Sequence, residues 1–338
     1  IMRKIKKALI SVSNKKNLKL ILKILKKYKV KLISSGGTYK EIKKLGYNSI
    51  EISKFTRSPE ILNGRVKTLH PKVYAGILSK RGNKNHKKDM KINNFDEIDL
   101  IIVNFYPFEK TISKTKNHKK IIENIDIGGP AMVRAAAKNY NDVAVVTNIK
   151  QYNNLIEEII KYKGSTNLEF REKLSEEAFM ETTYYDSLIS SYFNNKRNNE
   201  YPTKKFIYGN LVEPLRYGEN PHQKAAIYKT SNDLGVLQLH GKKLSYNNYN
   251  DIFSAINISK TFPKNLGTVI IKHAIPIGAS INKNKVRSYK EALNCDPISA
   301  FGGIVSCNFN INKKIEKELN KLFFEVIIGN NFDKDALK

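Results

Sequence analysis

Short apolar runs alternate along the first half of the chain with segments of helical period. The runs are residues 7–12, 30–34, 48–52, 98–105 and 142–147. Continuous apolar runs of this length are typical of strands buried on both faces of a parallel sheet. Residues 18–25 carry leucine and isoleucine at helical spacing with lysine on the other face, and we expect Ser13 and Asn14 to provide the N-cap. The alternation predicts an α/β fold whose ligand site lies beyond the carboxyl ends of the strands.

The remaining pattern divides the chain in two. We predict a short helix over residues 39–45 and helical structure over 149–196, with an irregular stretch between residues 52 and 98. The polar segment 194–199 is typical of a linker, which gives expected domains of 1–196 and 201–338. In the second domain we predict three strands and two helices. The strands are near residues 206–208, 226–228 and 269–271, and the helices near 251–260 and 315–324.

Composition narrows the classes of function. With 338 residues and 41% hydrophobic residues, the chain can bury two cores of ordinary size. Its 60 Lys and Arg against 31 Asp and Glu give a net charge of +29, which would permit nucleic-acid binding. The lysines are spread evenly rather than clustered with arginine, glycine and aromatic residues, so we expect phosphorylated small molecules as ligands and no nucleic acid.

Cysteine content and hydropathy suggest the compartment. The two cysteines, Cys295 and Cys307, cannot form a disulfide framework or a four-cysteine zinc site, and we expect no metal. No run reaches the ~18 apolar residues that a membrane span requires. We therefore expect a cytoplasmic protein that does not bind a membrane.

The segment 64–71 (GRVKTLHP) is the densest group of chemically active side chains. Two cations, a hydroxyl and an imidazole stand between a glycine and a proline, which disfavour a helix and allow several donors to face one anion. An ordinary solvated basic loop is the alternative, and the segment by itself favours that alternative. His70 and Pro71 are expected only to shape the loop.

Two glycine turns offer further binding groups. Residues 34–38 (SSGGT) lie between a strand and a helix, where backbone amides and the helix dipole can bind phosphate, although a plain tight turn has the same sequence. Residues 124–130 (NIDIGGP) lead into an alanine-rich helix. Asp126 precedes that helix and Lys138 follows about two turns along it, so the two could exchange protons at one site. A dipole-stabilised carboxylate and an unrelated surface lysine remain the alternative.

The second half contains two candidate clusters. Residues 215–223 (LRYGENPHQ) are polar and rich in turn formers. Lys272 and His273 follow a buried strand, where the ammonium would lower the pKa of the imidazole and favour acid–base chemistry. A capped strand end with a packed histidine is an equally good explanation of that pair.

Taken in order, these motifs resemble the family of bifunctional purine-biosynthesis proteins that join an IMP cyclohydrolase to an AICAR formyltransferase. The matching segments are 10–15, 35–38, 64–71, 104–108, 124–139, 215–223, 244–248, 272–273 and 295–303. The resemblance implies a methylglyoxal-synthase-like parallel-sheet domain followed by a partial cytidine-deaminase-like α/β domain. It implies formyl transfer from 10-formyltetrahydrofolate to AICAR, then closure of formyl-AICAR to IMP with loss of water. The cyclohydrolase step would need no cofactor, and a homodimer is expected.

The resemblance also assigns residues. Lys67, Tyr106, Asp126 and Lys138 match the cyclisation residues, and Lys272 and His273 match the formyl-transfer pair. Matches to nucleotide-binding positions are Ser11, Ser13, Lys15, Ser35, Gly36, Gly37, Thr38, Arg65, Thr68, Asn104, Gly128, Arg216 and Tyr217. For ring closure we assign donation to Lys67 and Tyr106, and orientation and proton transfer to Asp126 and Lys138.

The chain departs from the family pattern in its second half. Residues 274–278 are AIPIG where the family has Ala-Asn-Pro-Cys-Gly, so Ile275 replaces an amide. Family members also continue beyond the position of Lys338, so we expect an incomplete formyltransferase half and no formyl transfer by this chain alone. A non-catalytic nucleotide-binding or partner subunit is the alternative function.

Overall fold

The computed structural model describes residues 1–198, 200–230 and 234–338, and it divides into two compact units, Ile1–Phe206 and Ile207–Lys338. The domain limits expected from the sequence, 1–196 and 201–338, are not tested by this division and remain a proposal. Part of the expected linker is helical, because a helix continues to Lys196. Asn199, also in that linker, lies outside the described residues.

A five-stranded parallel sheet organises the first unit, which confirms the predicted α/β class. The strands of the unit are β1 (Arg3–Lys4), β2 (Lys7–Val12), β3 (Lys31–Ser34), β4 (Ile50–Glu51), β5 (Leu100–Asn104), β6 (Ala144–Val146) and β7 (Ser165–Thr166). The sheet order is β4-β3-β2-β5-β6, and every pair in it is parallel. Strands β2, β3, β5 and β6 are mostly buried because helices cover both faces, whereas the edge strand β4 is partly exposed. The short strands β1 and β7 pair separately in antiparallel fashion.

Helices connect these strands. They are α1 (Leu18–Lys27), α2 (Gly36–Lys44), α3 (Ile52–Thr56), α4 (Pro71–Leu78), α5 (Lys84–Ile92), α6 (Phe108–Lys114), α7 (His118–Glu123), α8 (Gly128–Lys138), α9 (Tyr152–Lys161) and α10 (Leu168–Lys196). The prediction of an irregular stretch between residues 52 and 98 was wrong, since α3, α4 and α5 lie there. The predicted N-cap was also wrong, because Asn17 precedes α1 rather than Ser13 or Asn14.

His70 and Pro71, which were expected only to shape the loop, also begin helix α4. Pro71 is the first residue of α4, where its missing N–H costs nothing because that position has no helical acceptor. His70 is the N-cap, and its Nδ1 accepts a hydrogen bond from the Lys72 amide at 3.1 Å. The two residues therefore end the 64–71 loop and begin a helix at a fixed point.

Helix α10 holds both ends of α8. Near the end of α8, Ser175 Oγ donates to the Ala137 carbonyl, and the fully buried Arg171 donates to the carbonyls of Tyr140 and Asn141 just beyond it. Before the start of α8, the Asp126 amide donates to Tyr185 Oη at 2.8 Å. Since α8 is fixed at both ends, the turn that contains Asp126 has a defined position.

A mixed sheet organises the second unit. Its elements are β8 (Asn210–Pro214), β9 (Ala226–Lys229), α11 (Tyr246–Ser259), β10 (Gly267–Lys272), β11 (Ile275–Ile281), α12 (Lys285–Cys295), β12 (Ile304–Ile311), α13 (Lys313–Leu319) and β13 (Val326–Phe332). The sheet order is β11-β10-β12-β13, with β10 antiparallel to both neighbours and β12 parallel to β13. Strands β8 and β9 form a separate antiparallel pair.

Sequence reasoning was less accurate in this unit. The strand predicted near residues 206–208 was wrong, because the first strand of the unit, β8, begins only at Asn210. The helix predicted over 315–324 ends at Leu319. Strands β11, β12 and β13 and helix α12 were missed. Polar residues such as Asn308 and Asn310 interrupt the apolar pattern of β12. Strand β11 is largely exposed, so its sequence has no continuous apolar run. No helix among the described residues is long and apolar enough to cross a membrane.

Candidate active site

The carboxyl ends of β2, β3 and β5 meet at one edge of the parallel sheet. Ser11 Oγ lies 3.1 Å from Ser35 Oγ across the first two of these strands. At the end of β5, the Asn104 side chain accepts from the Asn14 amide at 2.9 Å and donates to the Asn14 carbonyl at 3.0 Å. Asn104 thus holds the loop that carries the half-buried Ser13 and Lys15, and it contributes to the candidate site through that loop.

Thr38 has a structural position within the same edge. Its hydroxyl accepts from the Val12 amide at 2.9 Å and donates to the Val12 carbonyl at 3.1 Å. The side chain is buried and joins α2 to the end of β2. The Thr38 hydroxyl therefore forms hydrogen bonds within the protein, whereas the resemblance assigned Thr38 to nucleotide binding.

Two lysines converge on the N-terminus of α2. A Cβ placed on Gly36 would lie 3.3 Å from Lys67 Nζ, and one placed on Gly37 would lie 3.7 Å from Lys15 Nζ. Gly36 also has a φ of +49°, in the region that favours glycine. The two ammonium groups add to the positive end of the helix dipole, and this combination favours binding of a phosphate or another anion.

The 64–71 loop brings Lys67 to this position. Gly64 has a φ of +85°, in the region that favours glycine, and a Cβ on it would lie 2.5 Å from Lys67 Cε. Lys67 Nζ is 3.3 Å from Glu60 Oε2. The lysine is therefore held by a carboxylate that an anionic ligand could replace.

Arg65 is paired in the same way. Its Nη2 lies 2.7 Å from Glu123 Oε2, and its Nε donates to Glu123 Oε1 at 3.2 Å. This two-point hydrogen bonding, together with the opposite charges, raises the pKa of Arg65 and lowers the pKa of Glu123. Both side chains are exposed, so water and salt screen the pair. Sequence reasoning missed Glu60 and Glu123, since only the folded loop reveals these contacts.

Thr68 and Gly128 join the loop to α8. Thr68 is buried, and a Cβ on Gly128 would lie 2.6 Å from its hydroxyl oxygen. Glycine at the first position of α8 therefore allows the loop to approach the helix closely. Both residues were predicted to bind the nucleotide, and here they position the segments that carry Lys67 and Asp126.

Asp126 lies against the start of α8. Its Oδ1 accepts from the Gly129 amide at 2.9 Å, and a Cβ on Gly129 would come within 2.5 Å of Oδ2. Burial raises the pKa of Asp126, while hydrogen bonds from the backbone amides of Gly129 and Tyr106 oppose that rise. A carboxyl group under opposing influences of this kind can gain or lose a proton during a reaction.

Tyr106 and Lys138 have contrasting positions. The Tyr106 side chain follows β5 and is 47% exposed, so it is accessible to a ligand at the sheet edge. Lys138 is the exposed last residue of the 11-residue helix α8, about 15 Å along the axis from its first residue. We expected Lys138 about two turns along the helix, on a face that could point back to the site, and the separation is about three turns. The catalytic role of Lys138 stays a prediction.

The structure adds two tyrosines that carried no motif in the sequence. Tyr185 bonds the Asp126 amide, and its ring centroid is 5.0 Å from that of Phe105. Tyr74, on α4, interacts electrostatically with Asp126. Both were hidden because they occupy helix faces where an aromatic residue ordinarily indicates core packing.

In the second unit, Lys272 and His273 lie at the end of β10. Lys272 Nζ donates to the Phe301 carbonyl at 2.8 Å. His273 and Ala274 form the two-residue turn to β11 with φ values of +53° and +61°, which are unfavourable for residues other than glycine. Asp251 Oδ2 accepts from the His273 amide at 3.2 Å and Asp251 Oδ1 from the Ala274 amide at 2.6 Å. The carboxylate of Asp251 thus stabilises a strained turn at the candidate catalytic histidine.

The other candidates of this unit are separate from that pair. Arg216 lies over the Tyr217 ring, 5.7 Å from its centroid, in the loop between β8 and β9. Among the described residues no hydrogen bond or ion pair connects these two side chains to Lys272 or His273. The isoleucine at 275, which replaces the family's asparagine, is 62% exposed at the start of β11. No cluster of three or more His, Cys, Asp or Glu residues among the described residues of either unit is placed to hold a metal.

Comparison with known proteins connects both units to one family. The family model described as AICARFT/IMPCHase bienzyme matches residues 136–338, and an MGS-like domain model matches residues 18–131. A crystal structure of the protein ForH is similar to this chain, with a TM-score of 0.51 and 27% sequence identity. That match covers 56% of this chain and 96% of the ForH chain.

Three similar proteins carry the name bifunctional purine biosynthesis protein PurH. Those of Bradyrhizobium diazoefficiens, Persephonella marina and Thermoanaerobacter sp. are each 44% identical to this chain and match 98–99% of it. The chain spans 64 to 66% of the length of these relatives. Because a family model covers more than half of the sequence, the chain belongs to the AICARFT/IMPCHase bienzyme family.

Proposed function

We propose that the first unit closes formyl-AICAR into IMP with loss of water. The observation that carries the proposal is the convergence of Lys15 and Lys67 on Gly36 and Gly37, at the N-terminus of α2. This is an anion site, and it lies at the sheet edge where parallel α/β proteins bind nucleotides.

The anion site suits the phosphate of the substrate. Lys15 supplies charge, and the glycines let the phosphate approach the amides of α2. Ser11 and Ser35 provide hydroxyls at the same edge. Arg65 would add a second cation after it leaves Glu123.

Ring closure requires two further kinds of group. The carboxamide nitrogen attacks the formyl carbon, so the nitrogen must lose a proton and the developing oxyanion needs donors. Tyr106 is an accessible phenol and Lys67 a movable ammonium, and both suit donation. Asp126, half-buried and hydrogen-bonded by two amides, suits orientation of the carboxamide and acceptance of its proton. For Lys138, the proposed role in orientation and proton transfer rests on the motif alone.

We also propose formyl transfer, but only for the full-length proteins of this family. There, 10-formyltetrahydrofolate would be the co-substrate and AICAR the acceptor. His273 would take the proton from the amine, and Lys272 would stabilise charge on the leaving folate. Arg216 suits the phosphate of the bound nucleotide. A homodimer remains part of this proposal.

The test is direct conversion of synthetic formyl-AICAR. The chain is mixed with formyl-AICAR, and the purine absorbance of IMP is followed, with unformylated AICAR as the control that cannot cyclise without a formyl donor. Formation of IMP above the spontaneous rate is the expected result. Tight IMP binding without turnover would instead support a nucleotide-binding subunit, and salt-sensitive RNA binding without nucleotide competition would support a nucleic-acid protein.

A further inference from the structure

Tyr185 contacts both segments that carry the proposed catalytic groups Tyr106 and Asp126. It lies on α10, and its side chain is 5% exposed. Helix α10 packs against α6, which follows Tyr106, and against α8, which follows Asp126. No motif of the sequence includes this tyrosine, and the proposed reaction uses neither its ring nor its hydroxyl.

The Tyr185 hydroxyl holds the turn before α8 at two points. It accepts a hydrogen bond from the Asp126 amide at 2.8 Å, and it donates to the Asn124 carbonyl at 3.4 Å. The second contact is long and is therefore the weaker of the two. Burial raises the pKa of Tyr185 to about 12, so the phenol keeps its proton and acts only through hydrogen bonds at neutral pH.

The Tyr185 ring packs against residues on both sides of Tyr106. Its centroid is 5.0 Å from that of Phe105 and 6.2 Å from that of Phe108. Aromatic contacts at these distances are favourable. Phe105 directly precedes Tyr106, and the Phe108 amide donates to the Tyr106 carbonyl at 2.8 Å. The backbone of Tyr106 is therefore held between two residues that contact the same ring.

One buried side chain thus joins the two segments, through its hydroxyl to the turn of Asp126 and through its ring to the segment of Tyr106. We propose that Tyr185 is a positioning residue for ring closure, which fixes Asp126 relative to Tyr106. A misplacement of about 1 Å among reacting groups can lower a rate about 10²-fold. Tyr185 therefore contributes to kcat without touching the substrate. The inference rests on the proposed cyclohydrolase function.

Tyr192, on the same helix, provides a matched control. Its ring centroid is 6.0 Å from that of Phe108, and its hydroxyl lies 2.9 Å from Nδ1 of His118. Among the described residues, no hydrogen bond connects Tyr192 to the turn of Asp126. Tyr192→Phe therefore removes one hydroxyl from the same aromatic cluster and leaves that turn intact.

The first test measures the turn and does not depend on activity. Exchange of the Asp126 amide with deuterium is followed by NMR in wild type, Tyr185→Phe and Tyr192→Phe. Phenylalanine keeps the ring but removes the acceptor of that amide, so exchange in Tyr185→Phe should be about 2–10-fold faster. Tyr192→Phe should exchange at the wild-type rate. Equal exchange in the two variants would overturn the inference.

The second test follows IMP formation from formyl-AICAR at a temperature where all three proteins are folded. Tyr185→Phe should lower kcat about 10-fold and change KM by less than about twofold, because other segments build the anion site at α2. Tyr192→Phe should leave both constants unchanged. Equal kcat in the two variants, or a Tyr185→Phe defect confined to KM, would also overturn the inference. A wild-type protein that forms no IMP would overturn the function instead, and the exchange of the Asp126 amide would still decide whether Tyr185 holds the turn.

Discussion

The two candidate sites are built in different ways. In the first unit, side chains from a loop, two helix N-termini and three strand ends meet at one sheet edge. In the second unit, Lys272 and His273 are neighbours in one hairpin, and a single carboxylate, that of Asp251, holds the turn. The first site is a product of topology, whereas the second depends on one local contact.

The sheets explain this difference. In a parallel sheet every carboxyl end lies at the same edge, so β2, β3 and β5 deliver their following loops to one place. In the second unit β10 runs antiparallel to both neighbours, so the ends of adjacent strands lie at opposite edges. Fewer loops can then meet around Lys272.

The largest expected effect is at Lys67. If this ammonium stabilises the developing oxyanion, Lys67→Ala should lower kcat for cyclisation by roughly 10²–10³-fold, as loss of one such donor does elsewhere. Product absorbance at saturating formyl-AICAR measures it. IMP binding by the variant, followed by calorimetry, separates loss of chemistry from loss of the anion site.

A matched lysine in the second unit provides the control. Lys290 Nζ lies 3.3 Å from Glu318 Oε2, the same separation as between Lys67 and Glu60. Lys290→Ala should therefore remove a comparable ion pair without slowing cyclisation. A native rate in Lys67→Ala would show that cyclisation does not use Lys67. The two lysines would then not differ in their effect on the reaction.

A smaller effect is expected at Asp251. Asp251→Ala leaves two strained turn residues without their acceptor, so the His273 and Ala274 amides should exchange with deuterium roughly 10–100-fold faster, since hydrogen bonds to charged groups contribute about 1.5–3 kcal/mol. Asp335→Ala, at an exposed carboxylate, is the control. Peptides that cover residues 64–70 should be unaffected. Unchanged exchange in the turn would mean that the hairpin is stable without Asp251.

Sequence reasoning succeeded where the local pattern of apolar residues determines the structure. The apolar run of β2 predicted a strand of the parallel sheet correctly, whereas α2 begins at Gly36, before the predicted start at residue 39. It could not give positions and contacts that depend on distant packing. Thr38 pairs with Val12 and Lys138 lies at the far end of α8, and neither fact follows from the motif around the residue. Glu60, Glu123 and Tyr74 were missed for the same reason.

The smallest expected effect concerns the carboxylates that occupy the loop cations. Glu123 is exposed and must release Arg65 before the arginine can bind a nucleotide. Exposed ion pairs are weak, so Glu123→Gln should tighten IMP binding by only about 1.5–5-fold at low salt, and the gain should fade as salt rises. Glu291→Gln, which removes the exposed partner of Arg287 in the second unit, should leave IMP affinity unchanged. Weaker IMP binding by Glu123→Gln in calorimetry would show that Glu123 orients Arg65 for the ligand rather than competing with it. The 64–71 loop, with Arg65 paired to Glu123, would then be a preformed binding site. The first unit would bind its substrate without breaking that ion pair.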